Sequence, residues 1–429
     1  MDIKVHQPNR YTRELEIVVP WEEIEPDFEK AIKTFSKRVK QPGFRPGHVP
    51  RKVIMSNYLS HIELDFVEKS FNKYYIEALK EKDLTPVNQA SISDLDFHYQ
   101  SDLKFKATFE IEPEVTVPVL KKNSLKVEKT VYISDEEDIN LAVDDIRRRY
   151  MNVVTVEDGA QSGHFIVCDL QQVDEGGVPL IGQKLEGRYI KIGDGIFTGD
   201  LEKQLIGLKA GDEVVIDTPD ENDGTVKYRV HVTKVEDHQL PEVDESFVKT
   251  VDNEVKSVEE WKEKIRQSID DEYTQRSEEA LERQLADSLI EKADIEYPPS
   301  MVAAYLEHLM EDVKKSNPGT PLDEEQVRKT YTPVAERNMK WYLLRKAIIR
   351  EQDLTVSREE VQVEIQRLKD RSPDYAKDIE KYYKKPSNRE KIEDDLMEKK
   401  ILEYIKQFAK IKEVKVHTKD IRSQANEEA

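Results

Sequence analysis

At 429 residues the chain is longer than one ordinary hydrophobic core organises, so about two to four folding units are expected. Hydrophobic residues make up 37% and charged residues 36%, a balance that suits open, elongated helical architecture better than a compact globule. The 67 basic and 88 acidic residues leave a formal net charge of −21, which argues against general affinity for nucleic acid or anionic membrane and confines any polyanion contact to a local patch.

The amino terminus mixes charges with alternating apolar residues and lacks the apolar core of a secretory signal. No apolar run is long enough to span a bilayer. The single cysteine, Cys168, excludes an intramolecular disulfide and fits a reducing compartment. A soluble cytoplasmic protein that does not engage membranes is expected.

Residues 1–113 read as a small α+β unit. Leu15, Ile17 and Val19 alternate as in a half-buried strand, and the spacing of Ile24, Phe28, Ile32, Phe35 and Val39 then becomes helical until Pro42-Gly43. A second helical stripe runs through Ile62, Phe66, Phe71, Tyr75 and Leu79, and Leu103, Phe105, Ala107, Phe109 and Ile111 alternate as a strand. Residues 114–150 follow as an extended linker with a helix. Val115, Val117, Leu125 and Val127 mark its extended part, and Ser134 with Glu137 has the spacing of a capping box, repeated at Ser257 and Ser357.

Residues 151–240 are β-dominated, with glycines clustered between short strands. Val226, Tyr228, Val230 and Val232 form the clearest strand, and Leu201 to Ile206 the one credible helix. Residues 241–429 read as helical. One long stripe carries Trp261, Ile265, Ile269, Leu281, Leu285 and Leu289, with Pro298-Pro299 as its stop, and further stripes follow to Phe408.

Between Lys30 and Ser60 lie eight basic residues (Lys30, Lys33, Lys37, Arg38, Lys40, Arg45, Arg51, Lys52) and no Asp or Glu. Such a patch on an acidic chain suits a specific dock onto a polyanion, because phosphate contacts release counterions locally while the remaining surface repels. At its centre is Gly43-Phe44-Arg45-Pro46-Gly47-His48-Val49-Pro50. The glycines permit sharp turns, the prolines restrict the chain, Phe44 is a large apolar anchor and Arg45 a forked donor. By composition alone, a solvated connection between two helices is an equal reading.

The string Gly-Phe-Arg-x-Gly-x-x-Pro after a basic helix resembles the ribosome-binding signature of the trigger factor family, with Pro46 and His48 at its variable positions. The order of segments is similar to that family's plan: a ribosome-binding domain, a linker, a middle domain like the FKBP-type prolyl isomerases, and a helical domain with arms. The resemblance implies a multidomain α+β fold and an ATP-independent chaperone. Gly43 to Pro50 would dock on a large-subunit ribosomal protein and adjacent ribosomal RNA at the exit site, where nascent and unfolded polypeptides are met. A homodimer away from the ribosome is a further partner state to test.

The segment Ile206-Gly207-Leu208-Lys209-Ala210-Gly211-Asp212-Glu213 resembles FKBP-type isomerases. Such enzymes need no nucleophile or metal. An apolar pocket lowers the barrier of about 18–20 kcal/mol by favouring a twisted amide. The resemblance assigns Tyr189, Phe197, Leu201 and Tyr228 to that pocket. The sequence departs from the pattern at Phe197-Thr198-Gly199-Asp200, at Leu170 where an aromatic is usual, and in a shortened flap, Asp220 to Gly224, so a β-rich spacer without the chemistry is an equal reading.

No nucleotide, thiol-pair or metal-ligand motif is found, and no cofactor or metal is expected. Met301, Tyr305, Leu309, Met310 and Val313 are candidates for client contact, although a stripe at helical spacing is more often core. Two other functions stay open: a free prolyl isomerase whose helices recruit substrate, and a ribosome-assembly or RNA-binding factor whose basic patch is the whole function.

Overall fold

A computed structural model describes residues 1–42, 44–45, 48–219, 224–316 and 323–428. The chain divides into two compact units, 1–129 with 279–412 and 130–278 with 413–429. Helices and antiparallel sheets alternate along it, as a multidomain α+β class requires.

The first unit opens with β1 (Asp2–His6), β2 (Thr12–Val19), α1 (Trp21–Arg38), α2 (Arg51–Glu81), β3 (Ser91–Asp96) and β4 (Leu103–Glu110). The strands form one sheet in the order β1-β2-β4-β3. Leu15, Ile17 and Val19 face Ala107, Phe105 and Leu103 across the β2–β4 pair, and all six are buried. Period-two alternation thus sends one apolar face inward. Helix α1 lays Ile24, Phe28 and Ile32 on the sheet. The Phe28 ring, fully buried, lies 5.2 Å from Phe66, 5.5 Å from Phe97 and 5.7 Å from Trp21. On α2 the buried residues are Ile54, Ile62, Phe66, Val67, Tyr74 and Ala78, while Phe71, Tyr75 and Leu79 pack half-buried beside them.

The connector is more than a link. Its extended residues enter β5 (Leu125–Ile133), and Val115, Leu125 and Val127 are buried against helices of the distant sequence. Helix α3 (Glu136–Arg149) follows, but its cap is Asp135, not Ser134. The Asp135 carboxylate accepts from the amides of Glu137 and Asp138, whose own carboxylate accepts from the Asp135 amide at 2.9 Å. Asp caps as well as Ser, and Ser134 donates instead to Asp270 at 2.6 Å.

The second unit's sheet comprises β6 (Asn152–Thr155), β7 (Phe165–Val173), β8 (Pro179–Lys191), β9 (Glu213–Pro219) and β10 (Thr225–Gln239), with the short α4 (Asp200–Leu205). The order is β6-β10-β7-β8, and β9 also pairs with β10. Ile166, Cys168, Ile190, Ile216, Val230 and Val232 form its core with Leu205 of α4. Gly159, at φ +108°, brings its α-carbon against the Gly207 backbone, where an added Cβ would sit 2.9 Å from the Gly207 carbonyl oxygen. That approach lets Ala160 and Leu208 bond backbone to backbone at 2.8 Å.

The remaining elements are α5 (Glu245–Val251), α6 (Val258–Ile290), α7 (Pro299–Ser316), α8 (Glu324–Glu351), α9 (Arg358–Arg371), α10 (Ala376–Tyr382), α11 (Pro386–Lys406), β11 (Ala409–His417) and α12 (Thr418–Glu428). Helix α6 ends eight residues before Pro298, and Pro299 starts α7, as proline at a first helical position permits. In the first unit, Leu281, Leu285 and Leu289 pack with Leu343, Leu344, Ile348, Ile401 and Ile405. In the second, Ile139 and Val143 of α3 pack with Phe247, Val248 and Trp261. Ser357 and Glu360 make the reciprocal cap the sequence suggests, whereas Glu260 accepts from the Lys256 amide instead of that of Ser257. Strand β11, which apolar spacing did not separate from the helices around it, pairs with β5. Arg422 of α12 holds both carboxylates at the start of α3, reaching Asp135 at 2.8 Å and also pairing with Asp138.

Candidate functional site

The signature lies between the end of α1 and the start of α2. Gly43, Pro46 and Gly47 fall outside the described residues. Val39 and Val49 are buried on either side of the loop, with exposures of 9% and 5%, so its two ends are held in the core of the helix hairpin. Between them Phe44 is 40% exposed, and Arg45, His48 and Pro50 are exposed as well. The Phe44 amide donates to the Gln41 carbonyl at 3.1 Å and that of His48 to the Arg45 carbonyl at 3.0 Å. These bonds tie Phe44 to Gln41 and His48 to Arg45, while the aromatic ring and the guanidinium stay exposed.

The basic patch is smaller than the residue count suggests. Arg51 pairs with Glu29 and donates to the Tyr99 hydroxyl at 3.3 Å. These two partners, Tyr99 first, raise its pKa above the ordinary value. Lys30 pairs with Asp27 at 2.8 Å. Both acids precede the acid-free stretch, so the helix geometry brought them back. Among the described residues, Lys33, Lys37, Arg38, Lys40, Arg45 and Lys52 make no ion pair, and their charges remain available to a polyanion.

Sequence reasoning overlooked two residues beneath this tip. The Tyr58 hydroxyl donates to Gln41 Oε1 at 2.6 Å. The two are 17 positions apart on opposite arms of the hairpin, and only the pairing of α1 with α2 brings them together.

Of the four residues assigned to an isomerase pocket, three pack against one core. Phe197, Leu201 and Tyr228 are half-buried against the middle core, with Leu170 beside them. Tyr228 faces the buried Ile216 across β10 and β9. Tyr189 is placed apart from them: it is 60% exposed and stands opposite Val167, on the face that Ile166 and Cys168 do not share. Strand alternation turns it away. Its aromatic neighbour there is His238, 6.4 Å away, which stacks on Phe165 at 4.0 Å. Of the shortened flap, Asp220 to Asp223 lie outside the described residues. Burial pushes the Cys168 thiol up to about 12, as befits a packed side chain and not a nucleophile.

The client stripe also divides. Met310 is buried, only 3% exposed, and belongs to the packing of α7. Met301 packs half-buried against Val302, Leu306, Ala335 and Met339. Tyr305 is 38% exposed, although its hydroxyl accepts from the Asn338 amide at 3.0 Å, and Leu309 and Val313 are half-buried. The helical period gives α7 an inner face, and two of the five candidates lie on or against it.

Among the described residues no group of acidic, histidine or cysteine side chains is arranged to hold a metal, and no helix is long and apolar enough to cross a membrane.

Two family descriptions match: bacterial trigger factor protein over residues 1–146, and the trigger factor carboxy terminus over residues 257–407. The chain is 25% identical over 425 residues to the trigger factor of Marinobacter nauticus, with 97% of each chain aligned. It is 26% identical to that of Chlorobaculum tepidum, covering 95% of this chain and 96% of the relative, and 27% identical to that of Syntrophus aciditrophicus, covering 85% and 86%. A solved structure described as "Promiscuous Substrate Recognition in Folding and Assembly Activities of the Trigger Factor Chaperone" superposes with a TM-score of 0.47 at 22% identity, over 94% of this chain and 99% of that one. With both ends matched to one family and its relatives aligned through the middle, the chain belongs to the trigger factor family of ribosome-associated chaperones.

Proposed function

We propose that this chain docks at the exit site of the large ribosomal subunit through residues 43–50 and shelters nascent polypeptides in the cytoplasm, binding and releasing them without ATP. The observation that carries the reading is the loop tip: Phe44 and Arg45 face solvent on a hairpin whose flanking valines are buried, amid cations without acidic partners among the described residues. An aromatic ring can fill a small protein pocket, a guanidinium can fork onto carboxylate or phosphate, and the lysines supply the salt-dependent part. Under this reading 1–113 is the docking domain, 114–150 a linker, 151–240 the middle domain and 241–429 the client-binding region. A homodimer off the ribosome belongs to the same proposal.

Ribosome cosedimentation across salt tests it. Phe44→Ala with Arg45→Ala is expected to lower affinity at least about a hundredfold, since two interface anchors are removed at once. Equal sedimentation of variant and parent would refute the dock. Suppression of client aggregation in the absence of ribosomes is expected to be unchanged. A variant that lost both would make the loop part of the client surface instead.

A second activity, prolyl isomerisation in the middle domain, is supported by the half-buried packing of Phe197, Leu201 and Tyr228 against one core. It would act without metal or cofactor, by gripping a twisted X-Pro amide away from water.

A further inference from the structure

The hydroxyl of Tyr58 lies below the tip, and we infer that it is a positioning residue for the dock: by fixing Gln41 it sets the direction in which Phe44 is presented. The inference rests on the docking reading above.

Gln41 is the hinge of the arrangement. Its side-chain oxygen accepts from Tyr58 at 2.6 Å, and its backbone carbonyl accepts from the Phe44 amide at 3.1 Å. The first bond fixes the residue to α2, and the second fixes Phe44 to the residue. Tyr58 is itself held, because its ring packs on Phe35 of α1 with centroids 5.5 Å apart, and Phe35 meets His61 of α2 at 5.7 Å. Tyr58 is half-buried, so its hydroxyl bond is shielded from full competition with water. The chain from the helix pair to the exposed ring is therefore Phe35 of α1 on Tyr58 of α2, Tyr58 to Gln41, and Gln41 to Phe44.

This has a consequence for binding. An exposed aromatic on a loose loop must lose conformational freedom when it enters a pocket, and that loss is subtracted from affinity. A loop already fixed at Gln41 meets its partner with less to lose. The position of the anchor is also apt: Val39 is buried two residues before Gln41 and Val49 five residues after Phe44, and among the described residues it is Gln41 that bonds to Phe44.

Tyr58→Phe removes only the hydroxyl and keeps the ring on Phe35, so the hairpin core is preserved. Ribosome affinity, measured by titration with fluorescently labelled protein, is expected to fall roughly three- to tenfold, the range for loss of one hydrogen bond. Gln41→Ala should cause a similar loss, and the double variant no more than either alone. The decisive arm is Tyr58→Phe in a Phe44→Ala background. If Tyr58 acts through Phe44, it has no further effect there.

Parent-like binding of Tyr58→Phe would overturn the inference, as would a loss equally large with and without Phe44, which would assign Tyr58 to general stability. Circular dichroism and off-ribosome client protection should be unchanged in Tyr58→Phe. Should that variant fail to fold, Gln41→Ala with and without Phe44 carries the same decision from the other partner. Failure of the docking reading is distinct: there Phe44→Ala with Arg45→Ala already binds like the parent, before Tyr58 is varied.

Discussion

The amino-terminal helix hairpin and the middle sheet position side chains in opposite ways. At the hairpin, Phe44 and Arg45 are exposed between the buried Val39 and Val49. In the middle domain, Phe197, Leu201 and Tyr228 come from a turn, a helix and a strand, and each is drawn toward a shared core. A local site survives as long as its anchors hold. A site assembled from several elements depends on the face each strand presents, and a single residue of register decides whether a side chain joins it.

The strongest way to break the contrast is to attack the hairpin's foundation. Phe28→Ala empties a fully buried position among Trp21, Phe66 and Phe97, and should cost about 3–5 kcal/mol in urea unfolding of the amino-terminal domain. Docking should fall only when the domain unfolds. Loss of docking in a variant of unchanged stability would mean that the loop is not positioned by this core.

An intermediate effect sharpens the other side. In proline-limited refolding, Tyr228→Ala is expected to reduce any catalysis by about tenfold or more, while Tyr189→Ala leaves it near the parental rate because that ring stands on the opposite face. The reverse ranking would show that the apolar cluster is not the pocket.

The smallest effect concerns acid. Glu236 is 6% exposed, and His238 at 2.9 Å and then Lys234 at 2.7 Å hold its carboxyl below the ordinary value of 4.5. The unfolded chain then takes up the proton first, so this contribution to stability is fully present above pH 4.5 and is lost as pH falls through the lower folded value. Glu236→Gln should flatten the acid limb of the second unit's urea midpoint against pH, and leave the first unit's limb as it was. An unaltered limb in the second unit would remove Glu236 from the account.

The contrast also explains what was legible beforehand. The tip was readable because its letters are adjacent, and the sheet strands because Leu15, Ile17 and Val19 or Val230 and Val232 obey a simple period. The face on which Tyr189 stands was not legible, because similarity aligns positions along a chain but does not report face parity along an irregular strand; the pairing of β7 with β8 shifts register twice. Arg51 looked available because Glu29 lies just before the acid-free stretch, and only the folded hairpin joins them. The connector's buried Val115 and Leu125 could not be told from spacer residues, since their partners lie more than a hundred positions on. Met310 followed the helical period correctly, but the period alone does not name the face that remains outside.

The Arg422 clamp on Asp135 and Asp138 spans separations of 284 to 287 residues, and Val115 and Leu125 likewise find their packing partners among residues 281–405. Contacts so distant along the chain cannot form until almost all of it has left the ribosome. The first unit is therefore completed only once residues 401–405 have been made and the second only once Arg422 has, with the amino-terminal sheet as the part whose pairings are available early.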